Sequence, residues 1–136
     1  MNVQSRRRIL IVTALVFAAI DLLQKALTSA EFHHARTPYI TLLMGALITA
    51  LVVLVPRLPS TTAAIGAGVA CGGALGNLVS LLAWANGVPD PIVVAGATHA
   101  LAFNLADVFA VSGDSLLLGV VVLLGLQRRT ALRERV

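Results

Sequence analysis

Four long apolar segments divide the chain, and each has roughly the 20 residues that a helix needs to cross a lipid bilayer. They run approximately over residues 9–27, 39–55, 62–84 and 101–126. Pro56 and Pro59 end the second segment, because proline offers no backbone N–H to continue a helix. The pattern predicts an all-α membrane protein, in which one domain over residues 1–136 forms a four-transmembrane-helix bundle.

Composition supports a lipid environment and argues against a soluble class. Hydrophobic residues make up 58% of the chain, charged residues only 12%, and the mean hydropathy is +0.93. A soluble domain carries about 25% charged residues. Aromatic residues are 4%, and the basic residues lie at the segment ends rather than on one face, so we expect lipids and no nucleic acid as partners.

The basic residues also predict the orientation. Arg6, Arg7 and Arg8 precede the first segment, Arg57 follows the second, and further arginines follow the fourth from Arg128 onward. With four spans these positions fall on one side of the membrane. Because basic loops remain in the cytoplasm, we expect both termini there, in a multi-pass protein of the cytoplasmic membrane of the cell.

The third segment carries small residues at a fixed spacing. Gly68, Gly72, Gly76 and Ser80 recur every four residues and therefore share one helix face. Such a stripe lets two helices approach closely in lipid. The sequence predicts that a neighbouring helix packs on this face.

Ionisable side chains within the apolar segments are costly in lipid and therefore mark candidate sites. Asp21 and Lys25 are four residues apart and share a helix face. One interpretation is a self-neutralising pair in which Lys25 extends toward the membrane surface. The other is that both line a polar pocket, and the two are compatible.

The fourth segment contains two aspartates. Asn104 and Asp107 are three residues apart near its start, where an aspartate can also simply complement the helix dipole. Asp114 lies two turns deeper, beside Gly113 and Ser115, where a local break would let neighbours or water satisfy it. We expect Asp21, Lys25, Asn77, Asn104 and Asp107 to converge in one polar pocket near the outer boundary, with Ser80 beside Asp107.

Several short motifs resemble the signal peptidase II family. The matching stretches are Asp21-x-x-x-Lys25, Gly72-Gly73-Ala74-Leu75-Gly76-Asn77, Phe103-Asn104-Leu105-Ala106-Asp107 and, more weakly, His34-Ala35-Arg36 and Gly87-Val88-Pro89-Asp90. The family's layout is likewise four helices with cytoplasmic ends. The glycine-asparagine stretch and the Phe-Asn-x-Ala-Asp stretch are the specific ones.

The resemblance implies an aspartic endopeptidase that cuts a diacylglyceryl-modified prolipoprotein just before its lipidated cysteine. In that family two aspartates activate a water molecule. Asp107 matches the second aspartate, whereas Ser80 occupies the position of the first. The matching stretches also imply that Asp21, Lys25, Asn77, Asn104, Asp90 and Arg36 line the substrate site. The outer segment before the second helix is shorter than in the family.

The missing aspartate leaves two functions open. A serine hydroxyl cannot be the anionic half of a carboxylate pair that shares a proton. The chain is therefore either a divergent member that binds lipoprotein, lipid or a membrane protein partner with proteolysis impaired, or an active peptidase that uses Asp107 and another acid, such as Asp90. A Ser80–Lys25 nucleophile pair is a further alternative.

The histidines suggest no metal site. His33, His34 and His99 lie in the predicted outer loops without accompanying cysteines or acidic residues at ligand spacing. We expect solvated histidines and no metal or cofactor.

The orientation can be tested by labelling single cysteines with a membrane-impermeant reagent, in a background where Cys71 is replaced by serine. We expect a cysteine at Arg36 to be labelled from outside intact cells, and one at Arg128 to be labelled only after the membrane is opened. Labelling of the Arg128 position from outside would contradict the arrangement of four spans.

Overall fold

The computed structural model describes residues 1–35, 37–96 and 100–133, and it is mostly helical. Its four long helices are α1 (Val3–Leu27), α2 (Pro38–Leu54), α3 (Thr61–Ala83) and α4 (Leu105–Arg133). All four are long and apolar enough to cross a membrane, judged by length and composition. The prediction was an all-α four-helix bundle. The structure shows the four long apolar helices and a mostly helical chain, consistent with a membrane protein, together with short strands that the prediction did not include.

Polar side chains fix where the first three helices begin. Asn2 accepts a hydrogen bond from the backbone N–H of Ser5 at 2.8 Å, and Ser60 accepts one from Ala63 at 3.2 Å. Thr37 caps α2 in the same way, directly before the proline at its first position. Each cap satisfies a backbone donor that the first helical turn leaves unpaired. After α2 the chain makes a short 3-10 turn at Val55–Arg57, where the prolines stop the helix.

Two small antiparallel sheets lie between the helices. The first pairs β1 (Phe32–His34) with β2 (Val88–Asp90), and the second pairs β3 (Ile92–Ala95) with β4 (Ala100–Phe103). Gly87, directly before β2, has a φ of +97°. A Cβ atom there would lie 2.7 Å from the carbonyl oxygen of His34. Glycine is therefore needed where this turn meets β1.

The start of the fourth helix differs from the sequence prediction. We expected it near Leu101, but Leu101 lies in β4 and α4 begins only at Leu105. Phe103 pairs with Ile92 across the second sheet, which keeps this stretch extended. An apolar run contains no signal that separates a strand from the first turn of a helix.

Helix α3 is the centre of the bundle. It packs most extensively against α4 and α1, whereas α2 makes a smaller contact with it. The end of the bundle where α1 and α3 finish and α2 and α4 begin is called the site end below. The β1–β2 sheet joins the α1–α2 loop to the α3–α4 loop and so lies at this end.

Glycines allow the close approach on both sides of α3. A Cβ atom at Gly68 or Gly72 would lie 2.6 Å from the Cβ atom of Thr13 or Phe17 on α1, respectively. This confirms the packing predicted for the small-residue stripe. A second set of glycines faces α4: a Cβ atom at Gly66 would lie 3.0 Å from the backbone nitrogen of Leu117.

Replacing Gly72 by alanine should therefore destabilise the bundle. Because both Phe17 Cβ and the carbonyl oxygen of Ala14 obstruct the added methyl group, we expect Gly72→Ala to lower the free energy of unfolding by about 1–3 kcal/mol. The measurement is thermal unfolding of the full chain in detergent. Gly45→Ala is the matched control, since a Cβ atom there meets nothing within 4 Å. Equal losses in the two variants would contradict the close α1–α3 contact.

Candidate functional site

Polar side chains from three helices and one strand meet at the site end. Helix α1 supplies Asp21 and Lys25, α3 supplies Asn77 and Ser80, β2 supplies Asp90, and α4 with its cap supplies Asn104 and Asp107. Asp107 is partly exposed and the others are buried. The structure links all of them in one hydrogen-bond network, described below. Arg36 and His99 lie outside the described residues.

The ammonium group of Lys25 is the hub of this network. Its Nζ donates to Asp21 Oδ2 at 2.7 Å, to Asn77 Oδ1 at 2.8 Å and to Ser80 Oγ at 3.1 Å. Three acceptors match the three protons of an ammonium group. The side chain is directed into the bundle, so the interpretation in which Lys25 extends toward the membrane surface is wrong.

Asp21 connects α1 to the start of α4. One carboxylate oxygen accepts from Lys25, and the other accepts from the backbone N–H of Ala106 at 2.8 Å. The negative charge therefore lies at the positive end of the α4 dipole. Gly76 makes room for it, because a Cβ atom there would lie 3.0 Å from Asp21 Cγ. Gly76 thus shapes the site, a role that the regular spacing of the stripe did not reveal.

Asn104 and Asp107 cap the start of α4 reciprocally. The backbone N–H of Asp107 donates to Asn104 Oδ1 at 3.2 Å, and the backbone N–H of Asn104 donates to Asp107 Oδ2 at 3.2 Å. This is the geometry of a capping box. Asp107 Oδ1 also accepts from Asn77 Nδ2 at 3.1 Å. Asp107 therefore has a role in capping the helix, whatever chemistry it supports.

Ser80 is fully buried and its hydroxyl is engaged twice. It donates to the carbonyl oxygen of Gly76 at 2.7 Å and accepts from Lys25. Hydrogen bonds connect it to Asp107 through Lys25 and Asn77. A Ser–Lys nucleophile pair needs a neutral amine that can take the hydroxyl proton. Here Lys25 is a donor to three oxygens and the serine proton is directed elsewhere, so the geometry disfavours that alternative.

Asn104 links Asp90 to Asp107. Asp90 Oδ1 accepts from Asn104 Nδ2 at 2.6 Å, and Asp107 Oδ2 accepts from the Asn104 backbone N–H at 3.2 Å. The second acid named from the sequence therefore belongs to the same hydrogen-bond network as Asp107.

His34 contributes to the site unexpectedly. Its Nδ1 contacts Asp90 Oδ2, although 62% of the histidine side chain is exposed. We expected this outer-loop histidine to be merely solvated. The pairing of β1 with β2 brings it to Asp90, across 56 residues of sequence. Neither short strand has a periodic pattern that would have revealed the contact.

An apolar groove opens beside Asp107. It has a volume of about 410 Å³ and runs between β4 and the first turns of α4. Its lining residues are Leu101, Phe103, Asp107, Val108, Val111 and Ser112. The arrangement offers one carboxylate at the edge of a surface suited to a hydrocarbon chain.

The structure separates Asp114 from this network. It is exposed on α4, two turns away from Asp107. Nor does a metal site emerge: within residues 1–35, 37–96 and 100–133, no three His, Cys, Asp or Glu side chains lie together so that they could hold an ion.

Comparison with known proteins identifies one family. The family model described as signal peptidase (SPase) II matches residues 18–123, which is well over half of the chain. That range includes every residue of the hydrogen-bond network and the groove. No curated protein matches the chain.

Breaking the buried ion pair should destabilise the protein. In Lys25→Met the Asp21 carboxylate loses its partner while it stays buried, so we expect a loss of about 3–5 kcal/mol in the free energy of unfolding. Adding Asp21→Asn removes the uncompensated charge and should recover part of that loss. Thermal unfolding in detergent would measure both variants. A double variant as unstable as the sum of the two single variants would show that the groups are not coupled.

Proposed function

Since the chain belongs to the signal peptidase II family, we propose that it binds lipoprotein or lipid in the groove beside Asp107 and has lost all or nearly all proteolytic activity. The proposal includes the orientation with both termini in the cytoplasm and a location in the cell membrane. The observation that carries it is the buried hydroxyl of Ser80 at the position where the family has its first catalytic aspartate.

The chemistry explains why this position matters. Aspartic hydrolysis needs one ionised carboxylate to take a proton from water and one protonated carboxyl group to polarise the scissile carbonyl. Asp107 can fill one of these roles. Ser80 cannot fill the other, because its proton is held by the Gly76 carbonyl and its oxygen by Lys25. Loss of one member of such a unit commonly costs several orders of magnitude in rate.

The groove supports a binding role for an acylated ligand. Its lining is apolar apart from Asp107 and Ser112, and it includes the exposed residues Val108 and Val111 of α4. A hydrocarbon chain could enter it from the bilayer without crossing water. The reacting end of a lipidated precursor would then lie at Asp107, where the polar network begins.

An active peptidase with Asp90 as the second acid is the alternative function. Its support is the burial of Asp90 and its link to Asp107 through a single residue, Asn104. For Asp90 to act, it would have to share a proton with Asp107. In this structure Asp90 instead accepts from the Asn104 side chain, and Asp107 caps α4 through the Asn104 backbone N–H, so we favour the binding role. A source genome that also encodes a family member with both aspartates would support this choice.

The activity can be tested with a diacylglyceryl-modified precursor peptide. We expect no cleavage by the natural chain above the background without enzyme. Ser80→Asp supplies the missing carboxylate and should raise cleavage, and adding Asp107→Asn should remove that gain. Ser80→Ala is the control, because it changes the same position without adding an acid. Robust cleavage by the natural chain, abolished by Asp107→Asn and unaffected by Ser80→Ala, would contradict the proposal and make Asp90 the next residue to replace.

Binding is measured separately with a fluorescent copy of the same peptide in detergent. We expect Val108→Trp, which fills the groove, to weaken binding by about tenfold or more, as the loss of one apolar chain contact would. Leu43→Trp on α2 is the matched control, since Leu43 is also exposed, far from the groove lining. Equal binding by both variants would remove the groove from the proposed function.

A further inference from the structure

Asp114 is an exposed carboxylate on a membrane-spanning helix. Its neighbour Gly113 packs against α3, since a Cβ atom there would lie 2.6 Å from the carbonyl oxygen of Gly66. One residue further along a helix the side chain points about 100° away from that contact. Asp114 is accordingly exposed, on a face of α4 turned away from the Gly66 contact.

The depth of Asp114 can be estimated along the helix. It follows Asp107 by seven residues and precedes Arg128 by fourteen. At the helical rise these intervals are about 10 Å and about 21 Å. Together they match the hydrocarbon thickness of a bilayer, about 30 Å. With Asp107 and Arg128 at the two boundaries of the hydrocarbon layer, the carboxylate lies well inside it, and the short aspartate side chain cannot reach either surface.

The neighbouring polar side chains do not satisfy Asp114. Ser112 Oγ donates to the carbonyl oxygen of Val108, and Ser115 Oγ donates to that of Val111, each at 2.7 Å. Among the residues that the structure describes, Asp114 forms no hydrogen bond or ion pair. The expectation that a local break would satisfy this aspartate from its neighbours is not met, because Gly113 continues the helix without interruption.

The rest of this face is suited to another helix. Beyond the groove, Leu118, Val121 and Gly125 follow Asp114 at spacings of four, three and four residues, and all are exposed. That spacing is the seam of paired helices. A Cβ atom at Gly125 would meet nothing within 4 Å, so a partner backbone could approach there.

We propose that this face of α4 binds a transmembrane helix of another protein, and that this helix carries a lysine or arginine opposite Asp114. A cationic side chain would neutralise the carboxylate inside the bilayer and supply its hydrogen bonds. The inference goes beyond the proposed function and does not depend on proteolysis.

Two other occupants fit the charge less well. In a second copy of this chain, the apolar segments 9–27, 39–55, 62–84 and 101–126 have a basic residue only at Lys25, which is buried and already donates to three oxygens. A secretory signal peptide has an uncharged apolar core, which would leave Asp114 unpaired. The carboxylate therefore favours a dedicated partner helix over both.

The test uses the full chain in lipid vesicles and a synthetic 22-residue leucine-based transmembrane peptide as the probe. One peptide carries a single lysine about 10 Å from the site end, and the other has leucine there. By energy transfer between labels, we expect the lysine peptide to bind about threefold to thirtyfold more tightly. Asp114→Asn should abolish the difference. Equal binding of the two peptides to the natural chain would overturn the proposal.

A transplanted carboxylate is the matched control. Leu47 follows the start of α2 by nine residues, as Asp114 follows the start of α4, and it is also exposed. The double variant Asp114→Leu/Leu47→Asp moves the carboxylate from α4 to α2 at the same distance from the site end. We expect this variant to bind the lysine peptide and the leucine peptide equally. An undiminished preference would show that charge alone, without this face, is sufficient.

Folding and self-association are checked on the same samples. Asp114→Leu should unfold in detergent at no lower temperature than the natural chain, and a clear loss of stability would assign Asp114 a structural role instead. Self-association of the natural chain without peptide, lost in Asp114→Asn, would assign the face to a second copy and overturn the choice of partner.

Discussion

The buried ammonium group of Lys25 constrains the whole site end. An unpaired ammonium in an apolar interior is very costly, so three oxygens must surround it. Asp21, Asn77 and Ser80 supply them from α1 and α3, and this requirement fixes the two helices relative to each other. Asp21 then extends the constraint to α4, because its second oxygen accepts from the Ala106 N–H. The glycines of α3 make this arrangement possible. They let the α1 and α4 backbones approach α3 closely enough for the polar groups to meet.

The same constraint clarifies what a serine at position 80 preserves. Its hydroxyl gives the ammonium group a third acceptor without adding a second negative charge. The Asp21–Lys25 pair is neutral by itself, so Lys25 needs an oxygen at position 80 but not a second negative charge. Aspartic hydrolysis, by contrast, needs an acid there. The structural requirement at this position is therefore met by a hydroxyl group, as the proposed function assumes.

Sequence patterns predicted the elements whose signals are local. Four apolar segments predicted the helices, and the four-residue spacing placed Asp21 with Lys25. The regular glycine stripe predicted a close helix contact, which the structure assigns to α1. The α4 contact was missed because Gly66 and Gly73 lie off that stripe and become meaningful only when α4 is in place. The strand before α4 and the His34–Asp90 contact depend on pairings between distant loops. Such pairings leave no periodic trace in strands of three or four residues.

Asp107, the candidate catalytic residue, also has a structural reason for its presence. Its carboxylate caps α4 through the Asn104 N–H and holds Asn77, which in turn accepts from Lys25. Replacing it would disturb the start of the helix and one of the three contacts of the buried ammonium group. Its presence therefore follows from folding alone and is no argument for proteolysis. Ser80 is the residue that distinguishes the two functions, because the fold accepts a hydroxyl there and the aspartic mechanism does not. The proposed binding of an acylated ligand draws on the network and the groove, and neither of these depends on a second carboxylate.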